Sequence, residues 1–142
     1  MSFLLDTNIL SHHMRGAPGL AHRFIQHSGR LAMPAIVLAE LYAEAHLPKD
    51  PTPLLTQVAD MLTFIDVLAF DADCAEAFGR LRGDLHRRGL VVPPIDLLIA
   101  SVAVASDLTL VTRHEQHGRF RQHSRPAGRG LVEPVCRKVP QR

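Results

Sequence analysis

Cysteine is scarce in this chain: only Cys74 and Cys136 occur among 142 residues, far apart and outside any C-x-x-C spacing. That pattern excludes a disulfide framework as the basis of the fold and suits a reduced interior. A strong charge of either sign is also missing. The formal balance is +2 with a pI near 8.8, too mild to argue for or against a nucleic-acid partner, so charge placement must carry that question. No basic stretch leading into a long apolar core opens the sequence, and the apolar run from Ile95 to Ala105 is too short to span a bilayer. Internal repeats and a separate linker are lacking too. The expectation is a single soluble, cytoplasmic domain over residues 1–142, with no membrane partner. A chain of this length buries roughly 70% of its unfolded surface, so a core forms without metal or disulfide staples.

Against these absences stands a regular alternation of short apolar runs and helical periodicities. Phe3-Leu4-Leu5 reads as a strand buried on both faces, as parallel sheets require. A helix is expected to open near Ile9 and another to run from about Pro18 to Gln26, with Gly29 as its stop. Leu31-Ala32-Met33 reads as a second strand and Ala35 to His46 as a helix carrying Glu40 and Glu44 on one side. Asp50-Pro51 predicts a cap and first position for a helix reaching Ile65, and Val67 to Phe70 a third strand. Asp73 with Glu76 resembles a capping box for a helix to Arg88. Ile95 to Ser106 is the most apolar helix, followed by a fourth strand, Leu108 to Val111, and Thr112. This order predicts an α/β fold in three α/β/α layers, its mostly parallel central sheet flanked by helices. From about residue 118 the texture becomes basic, with Arg119, Arg121, Arg125 and Arg129 among glycine, proline and histidine, and Leu131-Val132 suggesting one more edge strand.

Three acids interrupt apolar surroundings. Asp6 follows the first strand, where it either caps the next helix or stands solvated or cation-bound in the crevice beyond the sheet. Glu40 lies within "AIVLAELYAEA", either facing solvent or reaching inward with a partner. Asp96, in "VVPPIDLLIAS", opens the most apolar helix; the macrodipole explains an acid there, yet without a partner its surroundings would make it costly. Clustered carboxylates repel unless a cation lies between them, and an oxygen-rich site suits Mg2+ or Mn2+. Such a site activates water and offsets charge developing on a phosphodiester, which is nuclease chemistry.

"LLDTNIL", "PAIVLAELYAEA" and "RRGLVVPPIDLLIASVAVASDLTLVTR" together resemble the PIN-domain ribonucleases, particularly VapC-type toxins of bacterial toxin-antitoxin pairs, in order from Phe3 to Arg113. The resemblance implies a PIN fold, cleavage of RNA, homodimers and inhibition by a cognate antitoxin. It also implies that Asp6, Glu40 and Asp96 hold a Mg2+ or Mn2+ ion, with Asn8 supporting the first carboxylate and Thr112 at the edge of the site. The family usually follows the fourth strand with T-x-N or T-x-D, whereas this chain reads Thr112-Arg113-His114-Glu115. His114 occupies the slot of a fourth polar or acidic group, with Glu115 beside it, which leaves a second metal position open. Two other readings stand beside this one. A haloacid-dehalogenase-like phosphatase wants a second Asp two residues after the first, where this chain has Asn8. A degenerate PIN-type binding module would keep the fold and lose the chemistry through His114. The remaining histidines lack an H-x-x-x-H pair beside an acid and read as surface residues, and the Arg-rich segments offer electrostatic phosphate contacts without an aromatic stacking platform.

Overall fold

The opening apolar run forms β1 (Phe3–Leu5), and its side chains divide between two cores in the computed structural model, which describes residues 2–112. Phe3 and Leu5 pack with one apolar cluster and Leu4 with another, the two-residue alternation of a strand covered on both faces. β2 (Leu31–Pro34) repeats it, with Leu31 and Met33 in the first cluster and Ala32 in the second. β3 (Asp66–Leu68) and β4 (Thr109–Val111) complete a sheet of order β3-β2-β1-β4. Every pairing is parallel, with Phe3 opposite Leu31 and Thr109, and Met33 opposite Val67.

Parallel neighbours need crossovers, and each here is a pair of helices. α1 (Thr7–Met14) and α2 (Leu20–Gln26) join β1 to β2, and α3 (Ala35–Ala45) and α4 (Thr52–Met61) join β2 to β3. These four supply Ile9, Leu10, Phe24, Val37, Leu41, Val58 and Met61 to the cluster around Leu5 and Met33. α5 (Ala72–Arg87) and α6 (Pro94–Ala105) join β3 to β4 and cover the opposite face, packing Cys74, Val102 and Ala103 on Leu4 and Ala32. The expected three-layer fold is therefore present, and its sheet is wholly parallel among the described residues. None of the described helices is long and apolar enough to cross a membrane.

Element boundaries depart from the sequence expectations where capping decides them. α1 begins at Thr7 because Asp6, in an extended conformation, takes the cap. Gly19, at φ 79°, delays α2 to Leu20. Pro51 rather than Asp50 is the N-cap residue of α4, though Asp50 still accepts the Thr52 backbone N–H at 3.0 Å. α5 is capped by Asp71, whose carboxylate accepts from Cys74 N–H at 3.0 Å; Asp73 falls inside the first turn instead of capping it. β3 ends at Leu68, two residues short of the expected Phe70. The expected edge strand at Leu131-Val132 and the basic segment from about residue 118 lie outside the described residues.

Candidate active site

The carboxyl edge of the sheet is where the candidate residues gather, beginning with Asp6. Its backbone N–H donates to Val111 O at 3.2 Å, extending the β1–β4 ladder by one step and setting Thr112 beside it at the strand ends. Its side chain, only 9% exposed, accepts the Ile9 N–H at 2.9 Å. Strand-end placement and helix capping are thus two aspects of one position. A carboxylate this buried is tolerated because the first turn of α1 supplies backbone donors and the positive end of the helix dipole.

Glu40 is brought to the same edge by α3, which follows β2 directly and so starts at its carboxyl end. The Thr7 hydroxyl donates to Glu40 Oε2, tying the residue next to Asp6 to the helix on its flank. One turn further along both helices, Ser11 Oγ donates to Glu44 Oε2 at 2.7 Å. Arg15 reaches the other Glu44 oxygen at 4.0 Å while its Nε donates to Ser11 O at 3.1 Å. The spacing of four on each helix makes these successive rungs between parallel helices. Glu44 is therefore engaged with Ser11 and Arg15, and Glu40 with Thr7, which separates two acids that sequence spacing had placed on a similar face.

Asp96 arrives from the opposite layer. α6 turns into β4 and runs antiparallel to it, so its first turn lies toward the carboxyl edge of the sheet. The packing agrees: Val102 and Ala103 sit with Leu4, whereas Ile99, a turn earlier, joins the cluster of Leu5 and Ile9. α6 also touches α3, the helix of Glu40. The surroundings of Asp96 differ from expectation, for Asp96 and the preceding Ile95 are exposed. Solvent and the helix dipole suffice to accommodate its charge, so burial cost gives no argument for its function. Asn8 is likewise exposed in the first turn of α1. Arg113, His114 and Glu115 lie outside the described residues.

Carboxylate oxygens from three elements facing one edge are the donor chemistry that Mg2+ and Mn2+ take. As the side chains stand, no three such groups among the described residues are close enough together to hold a metal ion. Thr7 is the site-edge residue that sequence reasoning passed over. Its position between Asp6 and Asn8 was visible, but its bond partner lies on another helix.

The PIN domain family model matches residues 3–122. The chain is 32% identical over 115 residues to the tRNA(fMet)-specific endonuclease VapC of Shigella flexneri, covering 80% of this chain and 87% of that protein. It is 32% identical over 117 residues to ribonuclease VapC2 of Rickettsia felis, with the same coverage of both chains. Among solved structures, VapBC2 of Rickettsia felis bound to a DNA fragment from its promoter superimposes with a TM-score of 0.76 at 31% identity, covering 80% of this chain and 89% of that one.

Proposed function

This chain belongs to the PIN domain family, and from that premise we propose that it is a metal-dependent endoribonuclease, the toxin of a toxin-antitoxin pair. The observation that carries the reading is the meeting of α1, α3 and α6 at the carboxyl edge of one parallel sheet, with the Thr7 hydroxyl bonded to Glu40. Asp6, Glu40 and Asp96 would hold the cation, Mg2+ or Mn2+. Bound there, a divalent ion lowers the pKa of water and offsets charge on the phosphodiester oxygens. The chain's own contribution is placement. β1 and the α1 cap fix Asp6, the Thr7 bond orients Glu40, and α6 carries an exposed Asp96 in its first turn. Thr112, beside Asp6 across the strand ends, offers a hydroxyl at the rim. The Rickettsia felis and Salmonella typhimurium neighbours are VapBC assemblies, which supports an antitoxin protein as the partner of this chain. The ribonuclease names of the relatives support RNA as substrate.

The test is cleavage of a panel of structured RNAs by antitoxin-free protein, with and without Mn2+, beside Asp6→Asn. Asparagine can still cap α1, so the fold should persist. Cleavage is expected to require the metal and to fall in the variant by more than the roughly 10–100-fold that loss of an outer supporting group costs. Cleavage without metal, or unchanged by the substitution, sinks the mechanism. A folded protein inert on every RNA points instead to a PIN-type binding module.

A further inference from the structure

We infer that Thr7 is a positioning residue for the cation site, its hydroxyl orienting the Glu40 carboxylate on the helix beside Asp6; this rests on the function proposed above. The first observation is covalent proximity. Thr7 is bonded through the chain to Asp6 and through its hydroxyl to Glu40 Oε2, so one residue couples two of the three proposed ligands. The second is the rung beneath it. Ser11, 4% exposed, donates to Glu44 at 2.7 Å, and Arg15 lies 4.0 Å from the same carboxylate, so a second pair of polar contacts links α1 to α3 one turn below Thr7. Apolar packing alone tolerates small sliding between helices, whereas a half-buried hydroxyl-to-carboxylate bond favours one geometry. With that lower rung made, Thr7 and Glu40 are held opposite each other.

The chemistry explains why a hydroxyl serves here. A side chain that donated from a cation, such as lysine, would neutralise Glu40 and compete with a metal. Threonine donates one hydrogen bond without adding charge, leaving the carboxylate anionic and orienting it. A β-branched side chain is also confined in rotamer on a helix, which limits how far the hydroxyl can stray. The same arrangement of ligand and outer hydrogen-bond partner governs metal sites generally, where loss of the outer partner costs about 10–100-fold in metal affinity.

The test is Mn2+ binding to the whole, RNA-free protein, read by calorimetry or by the resonance of unbound Mn2+, for wild type, Thr7→Val, Thr7→Ser and Asp6→Asn, with thermal melts alongside. Thr7→Val is expected to weaken Mn2+ binding by about 10–100-fold while remaining folded, and Thr7→Ser to restore most of the affinity. Thr7→Ala makes the same comparison should the valine variant fail to fold. Wild-type affinity in a variant without the hydroxyl, or equal loss in the serine variant, overturns the positioning role alone. Failure of wild type to bind Mn2+, or undiminished binding by Asp6→Asn, overturns both this role and the proposed function.

Discussion

At Asp6 one residue follows a strand, caps a helix and stands at the carboxyl edge of the sheet. The backbone at Asp71 is similar but its setting is not. The Cys74 backbone N–H holds the Asp71 carboxyl below the usual carboxylate range, at the cap of α5. Since its pKa is depressed in the folded state, the stabilisation is present at neutral pH and disappears as pH falls through the folded value. Asp71→Ala should therefore lower the melting temperature at neutral pH, Asp71→Asn should largely retain it, and the alanine deficit should shrink in acid. His13 behaves oppositely. Burial against Phe24, at 4.4 Å between ring centroids, pushes its imidazole below the ordinary value of 6.5. The unfolded chain then binds more protons, so stability falls as pH drops below about 6.5. Melts at about pH 7.5 and 5.5 should show a smaller drop in His13→Gln than in wild type. Which aspartate capped α5 was not legible in sequence, because Asp71 and Asp73 are equally good cap residues; only the extended backbone at Asp71 distinguishes them.

Helix ends carry the clearest local grammar of the fold. α1, α5 and α6 close alike: the second residue past the last turn donates back to a carbonyl five residues earlier, as Ala17 to His12 at 3.0 Å, Leu90 to Leu85 at 2.9 Å and Leu108 to Ala103 at 2.9 Å. The residue between needs positive φ, supplied by Gly16 at 74° and Gly89 at 65°, but by Asp107 at 52° after α6. A left-handed backbone costs an L-residue roughly 1–2 kcal/mol and glycine's entropy offsets about half of that. Asp107→Gly should thus stabilise by up to about 1 kcal/mol in urea unfolding, and Asp107→Val should destabilise. In α3 the decisive term is burial. Leu41, fully buried beside Glu40, should cost about 2–5 kcal/mol when cut to alanine, read in the same experiment.

Across the whole molecule, order should be uneven in a way that amide exchange can resolve. β1 and β2 are each paired on both sides and covered on both faces, so their amides should exchange slowest, with those of α3 and α6. α2 has seven residues, no side-chain cap bond and two buried side chains, so it should exchange fastest among the helices. The reverse ranking would mean that the sheet is not the most stable unit. Exposed apolar groups concentrate from the end of α5 to the first turn of α6, where Val91 is 96% exposed and Leu90 and Ile95 nearly half exposed.

The residue pattern alone determined the alternation of strands and helices, the three layers and the three candidate acids. Hydrophobic periodicity is local, and short apolar runs separated by amphipathic helices have few ways to bury themselves. Only the tertiary structure decided how those acids stand. Asp6 is buried while Asp96 is exposed, because one ends a central strand and the other opens a helix at the rim. Glu40 and Glu44, alike in sequence, were separated by partners on α1, and Thr7 acquired its bond across a separation of 33 residues. Such contacts depend on how two helices register on a sheet, and that register is set by packing between elements distant in the chain.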